Sequence, residues 1–451
     1  MSTTPDGSSD RPVLDARSIR KIAGLSLVGA SVEWFDFFLF GTAAALVFPK
    51  LFFPATTDPF VAILSSFAVL GVGFLARPLG GIVWGHLGDR VGRKAAFLGA
   101  LFTMATASVL IGLLPTYDAI GVAAPILLTV LRFVQGLAVG GQWGGAVLLA
   151  TEFAPKEKRG YYGSYAQVGV PIGVLLGVVA FFLLGMSMAP ASFASWGWRV
   201  PFVLSIVLVA VAIYAKKRLD DTPAFRRLQT LAAQAPQTGR SPVLEVVRRH
   251  WRRVTLAGGA FAIINTGFYI YSTFMLAYAT KTAGASQAAV LIALAIGAVV
   301  MIPLTLWSAK VSDRVGRRRM YLVGTVITLL WAFPLFWLVD MATVWSLSIA
   351  LSVALGALAV MYGPLAAFFA EMFPASVRYS GASLAYQVGA LVGGAVAPLL
   401  AVYLQKETGG TAAVSVYIMV MAVVAIACTL ALSETRHNSL DPDAAGRTTA
   451  G

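Results

Sequence analysis

Twelve apolar stretches run through the chain, at roughly 22–48, 60–85, 95–115, 122–150, 161–187, 200–215, 254–280, 286–309, 320–339, 344–370, 379–404 and 412–433. Most are twenty or more residues long, enough to span the hydrocarbon core of a bilayer as a helix. Soluble helices are shorter and keep a polar face. With 58% hydrophobic and only 12% charged residues in 451, and a mean hydropathy of +0.79, the chain reads as a polytopic membrane protein. The first stretch is too long for a signal peptide, lacks a small-residue cleavage site and leads into a second span. The single cysteine, Cys428, excludes an internal disulfide.

A formal net charge of +14 would suit a nucleic-acid binder, but its distribution speaks against one. With the spans numbered alternately and the N-terminus inside, 28 of the 34 Lys and Arg fall on one side. Lys50, Arg199, Lys281 and Lys406 fall on the other, and Arg77 and Arg132 lie within spans. This positive-inside bias places both termini in the cytoplasm. Topology and attraction to the lipid bilayer account for the surplus charge.

The organisation is two halves. Residues 216–253 are polar, basic and contain three prolines, and read as a cytoplasmic linker between bundles at 21–215 and 254–434. Residues 1–20 and 435–451 read as mobile polar tails. The halves repeat each other. GHLGDRVGRK at 85–94 matches AKVSDRVGRRR at 309–319, aligning Asp89 with Asp313 at an offset of 224. Glu152 and Arg159 match Glu371 and Arg378 at 219, and Gln167-Val168-Gly169 matches Gln387-Val388-Gly389 at 220. Each pair falls on the same membrane side, so the expectation is an all-α membrane protein of twelve transmembrane helices in two parallel-repeat six-helix bundles.

The repeated motifs mix acids with bases, which positive-inside retention alone does not require. Gly85, Gly88 and Gly92 are expected to provide tight reversals between spans. Asp89, Arg93, Glu152 and Arg159, with their mates Asp313, Arg317, Glu371 and Arg378, read as inter-helix ion pairs closing the cytoplasmic side in one state. As exposed pairs each would contribute about 0–1 kcal/mol, enough to bias states rather than to hold the fold.

Glu33 and Asp36 lie inside the first apolar stretch, in VEWFDFFLFG at 32–41. A carboxylate at the centre of a spanning helix costs about 2.5–3.5 kcal/mol on insertion scales. Three residues apart, the two share one helix face, about 4.5 Å apart along its axis. Arg77 and Arg132 are the cations available within spans. Arg77 comes out about 13 Å deep in the second span and Glu33 about 18 Å deep in the first. Asp36 lies deeper and Arg132 towards the outer part of its span, so Asp36–Arg132 and Glu33–Arg77 are the expected pairings. Two close carboxylates in low dielectric do not easily both ionise, while a nearby arginine favours the charged form. Such a set can exchange a proton; a static buried salt bridge fits the same residues. Shifted by 224, Glu33 and Asp36 land on Ala257 and Ala260, so buried charge belongs to the first half alone.

Polar and aromatic residues that could face a central substrate cavity are Trp34, Gln135, Gln142, Trp143, Tyr165, Asn265, Tyr269 and Tyr386, with Gln167, Tyr362 and Gln387 as further candidates. Recurrence of Gln167 and Gln387 in both halves also suits helix-packing contacts. Pro and Gly in Val170-Pro171-Ile172-Gly173 and Tyr362-Gly363-Pro364 would let helices bend. No enzyme signature is present. The three histidines, His86, His250 and His437, are scattered, no metal or catalytic cluster is expected, and the ATP motif GxxxxGK[ST] is absent.

GHLGDRVGRK and LRFVQGLAVGG at 131–141 resemble the loop and fourth-helix signatures of the major facilitator superfamily. Within it the chain is similar to the metabolite:H+ symporters, on VEWFDFFLFG, VGFLARPLGG (72–81), GLAVGGQWGGAVLLATE (136–152), SWGWRVPF (195–202) and EMFPASVRYSGASLAYQVG (371–389). The match covers about residues 20 to 437, and LSETRHNSL (432–440) also looks family-like. One departure stands out: the family pattern GGEWGG has Glu where this chain has Gln142. The resemblance implies the major facilitator fold and proton-coupled uptake of a small organic acid or zwitterion by a monomer in a bacterial inner membrane. The proton gradient would drive it, with no cofactor. In sugar-type members a first-helix acid and a fourth-helix arginine play such roles, which supports proton coupling by Glu33 or Asp36 with Arg132 and Arg77. An uncoupled facilitator or an exporter is the nearest alternative. A sensor or channel fits less well, since no soluble signalling module or selectivity loop is evident.

Overall fold

The computed structural model describes residues 16–91, 93–140, 147, 150–151, 154–207, 210, 242–374, 377–438 and 440, and these contain helices and no strand. The longer first-half helices are α1 (Ala16–Leu46), α2 (Pro59–Val91), α3 (Arg93–Leu113), α4 (Ala123–Val139), α5 (Arg159–Ser187) and α6 (Gly197–Val207). The second-half helices are α7 (Trp251–Lys281), α8 (Gln287–Val315), α9 (Arg317–Val339), α10 (Val344–Met372), α11 (Arg378–Thr408) and α12 (Ala412–Ala431). Among the described residues nine of these are long and apolar enough to cross a membrane, and α3, α4 and α6 supply shorter apolar stretches. Large apolar side chains such as Phe102, Leu330, Trp337 and Trp345 face outwards, as a lipid-facing surface requires. Most of residues 216–253 lie outside the described residues; Pro242–Arg249 is a short helix.

Helix boundaries follow local chemistry. The Ser286 hydroxyl accepts from the Ala289 N–H at the start of α8, and Thr343 and Ser346 form a capping box at the start of α10. Gly316, at φ +109°, ends α8 and starts α9 in a single residue. Its repeat mate Gly92 lies outside the described residues. Gly85 and Gly88, expected in a turn, are inside α2, which continues to Val91. Both glycines stay helical because i→i−4 backbone bonding continues through them to the end of α2. Arg199 donates to the carbonyls of Gly112 and Leu114 at 3.1 and 2.6 Å, closing the C-terminal end of α3.

Close packing relies on small residues. A Cβ on Gly169 would come 2.5 Å from the Ala30 Cβ, and one on Gly173 would come 2.6 Å from the Phe35 N. These glycines, four apart on α5, set it against α1. At offset 220 their mates Gly389 and Gly393 set α11 against the backbone of α7. The halves meet where α5 packs on α8 and α10, α2 on α11, and α1 on α7. α7 is central, with its apolar window wholly inside the protein, whereas α9 and α12 bury 39% of theirs. Pro171 and Pro364 sit inside unbroken helices. Departures from α-geometry occur instead at π-turns, Ile270–Phe274 in α7 and Leu391–Ala395 in α11.

Candidate functional site

Asp36 sits in the middle of α1, 1% exposed, against α3 and α4. The Ser108 hydroxyl on α3 bonds to Oδ1, and the Gln135 amide on α4 donates to Oδ2 at 2.8 Å. The same amide donates to the Ser108 Oγ at 2.8 Å. Its carbonyl accepts from Arg132 Nη1 at 3.0 Å. Arg132 therefore reaches Asp36 through Gln135, and among the described residues neither Asp36 nor Glu33 makes an ion pair within 4 Å. The expected direct pairings Asp36–Arg132 and Glu33–Arg77 are corrected in this respect. The groups are electrostatic neighbours in those combinations, and a side-chain amide occupies the space where the first would close.

The arginines lie on aromatic rings. The Arg77 guanidinium is 4.2 Å from the Phe37 centroid and 4.4 Å from that of Phe74. Arg132 is 4.3 Å from Phe37 and 4.1 Å from Phe40. Phe37 is thus shared by two buried cations, each stabilised by ring quadrupoles in place of water. Gly73 makes room: a Cβ there would lie 2.7 Å from Arg132 Nε. The Nε and Nη2 atoms of both arginines have no hydrogen-bond partner among the described residues. Buried donors left without acceptors mark a site able to take an anion.

Beside this cluster the halves enclose a central cavity of about 10 Å³, lined in part by Trp34, Phe261, Asn265, Phe268, Tyr362 and Tyr386. That holds about one water. Trp34 meets Phe268 edge-on at 5.2 Å, and Tyr386 packs on Phe261 at 4.3 Å. Tyr269 lies edge-on to Phe74 at 5.1 Å, bringing α7 to the arginines. Asn265 Nδ2 is buried and has no hydrogen-bond partner among the described residues. At the face where α1 ends and α8 begins, an open pocket of about 340 Å³ lies between α1, α5 and α8, with Lys50 on its wall.

The opposite, basic face is closed. Asp313 on α8 accepts from the Gly160 and Tyr161 N–H groups at 2.9 and 3.0 Å, so a second-half carboxylate caps the N-terminus of first-half α5. Arg317 holds Asp313 at 2.7 Å and grips Glu371 through Nε and Nη2, both at 3.3 Å. Asp313, Arg317 and Glu371 are buried, so the exposed-pair energetics expected from the sequence do not apply: removing one partner strands a buried charge. Gln167 donates to the Tyr362 carbonyl and Gln387 to that of Gly140, both at 3.3 Å. The repeated glutamines thus each bond from one half to the other's backbone.

Residues 435–438 and 440, expected in a mobile tail, are bound across this face. Glu434 accepts from the N–H groups of Arg317 and Arg318, and the Thr435 hydroxyl donates to Glu371 at 2.9 Å. The Asn438 carbonyl accepts from Arg159 and the Leu440 carbonyl from Arg378. A polar composition is compatible with order here because helix-terminal N–H groups and arginines satisfy it.

The Major Facilitator Superfamily profile matches residues 26–385 and 306–450. The chain belongs to the major facilitator superfamily. An inner membrane metabolite transport protein of Escherichia coli (strain K12), YhjE, is 39% identical over 450 residues, covering 97% of this chain and 99% of the relative. A shikimate transporter of the same organism is 39% identical over 449 residues, covering 97% and 99%. Its proline/betaine transporter is 32% identical, covering 96% and 87%. Solved structures of the xylose transporter XylE from E. coli share the fold. One, in a partially occluded inward open conformation, has TM-score 0.69 at 18% identity, covering 94% of this chain and all of that one. Another, bound to 6-bromo-6-deoxy-D-glucose, has TM-score 0.70 at 16% identity, covering 96% and 99%. The protein is a multi-pass membrane transporter of this superfamily and not an enzyme.

In this superfamily member, Glu33, Asp36, Arg77, Arg132 and Gln135 come together with Trp34, Asn265, Tyr269 and Tyr386 around the closed centre. Tyr165 does not. It bonds to Tyr161 and packs beside Ile19 and Ala23 near the basic face, because it stands two positions before Gln167 and a helix turns residues at that spacing to opposite sides. Gln142, Trp143 and Glu152 lie outside the described residues, as do the side chains of Asp89 and Arg93. Sequence reasoning missed Ser108, Phe37, Phe40 and Phe74. The phenylalanines had a signal, in aromatic spacing beside Asp36 and Arg77; Ser108 had none among the many span serines.

Proposed function

We propose that this transporter is a proton-coupled importer of a small organic acid or zwitterion in a bacterial inner membrane, working by alternating access. The carrying observation is the buried set Asp36–Gln135–Arg132, with arginine donors that lack acceptors on the wall shared by both halves. Relatives that transport shikimate and proline/betaine support a carboxylate-bearing substrate. In this reading all twelve apolar helices span, both termini are cytoplasmic, and the bundles at 21–215 and 254–434 rock about the linker 216–253. Asp313, Arg317, Glu371, Arg159 and Arg378 seal the cytoplasmic side, and Asp89, Arg93 and Glu152 join them. The carrier works as a monomer with no cofactor, and the pocket beside Lys50 is the outer approach.

A substrate carboxylate would take the free guanidinium donors, while Asn265, Trp34, Tyr269 and Tyr386 shape the remainder. A proton on Glu33 or Asp36 leaves the four-charge site one positive charge in excess, which an anionic substrate balances. The site then crosses the membrane without a net buried charge of its own, the condition under which a low-dielectric closed state is cheapest. The experiment is proton uptake into proteoliposomes, read by an internal pH dye, with shikimate, a dicarboxylate, an aromatic acid and glycine betaine added in turn. Substrate-triggered acidification that Asp36→Asn abolishes is expected. Labelled-solute influx with no pH change, equal in Asp36→Asn, would favour instead an uncoupled facilitator, a reading that the complete hydrogen bonding of Asp36 and the uncharged Gln142 also suit.

A further inference from the structure

The surroundings of Asp36 can be counted proton by proton. Gln135 Nε2 has two hydrogens, and both are placed, one on Asp36 Oδ2 and one on Ser108 Oγ, each at 2.8 Å. The amide cannot be turned round, since its carbonyl would then face the carboxylate and its NH2 would face Arg132. Ser108 has a single hydroxyl hydrogen and two acceptors within reach, the Asp36 carboxylate and the Met104 carbonyl at 2.9 Å. It can serve only one at a time.

Those two positions correspond to the two states of Asp36. With the carboxylate ionised, the Ser108 hydroxyl donates to Oδ1. When the site is open to water, hydronium protonates Oδ1: one O–H bond forms on Asp36, one breaks in the hydronium, which leaves as water, and no bond of the protein breaks. The new hydroxyl donates to Ser108 Oγ, whose second lone pair is free, and the Ser108 hydrogen turns to Met104. Gln135 keeps all its partners and Arg132 keeps its contact with Gln135. Every buried polar atom of the trio is satisfied in both states, and no heavy atom moves.

We infer that Ser108 is a positioning residue whose hydroxyl rotates to let Asp36 hold or release a proton without repacking the closed core. This rests on the reading of Asp36 as a proton site, and it explains how a proton is stored while the cavity has room for about one water. The charged and titratable groups that face the cluster are Glu33 on α1, Arg77 on α2, Arg132 on α4 and Tyr269 on α7. On α5, Tyr161, Tyr162 and Tyr165 pack by Ile19 and Ala23, at least about 20 Å back along α1. None of these groups changes in a Ser108 variant.

The test is an infrared pH titration of the purified full-length protein in lipid, which needs no substrate. The carboxyl C=O band of Asp36 is the one missing in Asp36→Asn. In Ser108→Ala the ionised carboxylate loses a donor, and bonds to the charged form are the stronger ones, so the band titrates at higher pH by about one unit or more. Ser108→Thr, which keeps the hydroxyl, restores the native midpoint. A Ser108→Ala midpoint equal to the native one overturns the inference and leaves Asp36 as a proton site. So does an equal displacement in Ser108→Ala and Ser108→Thr, which would trace the effect to packing. If no Asp36 band titrates in the native protein, the reading of Asp36 falls, and this inference with it.

Discussion

Where the first half meets the middle of the molecule it places Glu33, Asp36, Arg77 and Arg132; the second half places Phe261, Asn265, Tyr362 and Tyr386. At offset 224 the two acids become Ala257 and Ala260, and Arg77 becomes Met301, which lines the cavity. Packing is nevertheless repeated. Gly169 and Gly173 hold α5 to α1 as Gly389 and Gly393 hold α11 to α7, and Gln167 and Gln387 each bond into the opposite half. If the halves rock as proposed, both need matching helix surfaces, whereas the proposed proton site needs charge on one side only, and every extra buried charge is a cost. The second half has its own departure, the π-turns in α7 and α11, which lie where those helices meet α1 and α2.

The comparison breaks most readily at the basic face. Arg317→Ala leaves Asp313 and Glu371 buried without their cation, and is expected to destabilise the closed state by about 3–5 kcal/mol. Cysteine-labelling rates at the α5 N-terminus would report the opening, and unchanged rates would reduce the cluster to local packing. In the first half, Asp36→Asn should lower substrate-driven proton uptake about a hundredfold or more, equivalent to about 2.7 kcal/mol or more in the transport barrier. The equivalent second-half change, Ala260→Ser, should leave the proton stoichiometry as it is. If it altered the stoichiometry, chemistry would not be confined to one half.

The shared packing can be tested symmetrically. Gly169→Val and Gly389→Val should each cost about 1–3 kcal/mol by overpacking, read as similar losses of thermal stability; a large loss in one alone would show that the repeat does not extend to function-bearing contacts. The smallest effect separates substrate contact from coupling. Asn265→Ala should raise KM about tenfold, as loss of one hydrogen bond of about 1.4 kcal/mol does, while protons moved per solute stay constant. A change in that ratio would bring the second half into coupling.

The helices were legible because hydropathy and length are properties of contiguous residues, and the repeat because Asp89/Asp313 and Gln167/Gln387 recur at nearly one offset. The charged cluster was legible as a set, since ionisable residues in spans are few and depth follows from helical rise. Its wiring was not. Gln135 between Asp36 and Arg132, Ser108 on a third helix, and Phe37 under two guanidiniums depend on how α1, α2, α3 and α4 are rotated against one another. Tyr165 was placed on the wrong side for the same reason.

By itself, then, the amino-acid order determined spans, the twofold internal repeat, the one-sidedness of charge and the identity of the ionisable residues inside. Tertiary structure decided which atoms meet. Asp313 caps a helix that begins some 150 residues earlier, and Glu434, Asn438 and Leu440 are held by helix ends and arginines of both halves. Periodicity encodes depth and facing along one helix, whereas hydrogen-bond partners across helices follow from close packing, where a missing Cβ or an interposed amide decides a contact.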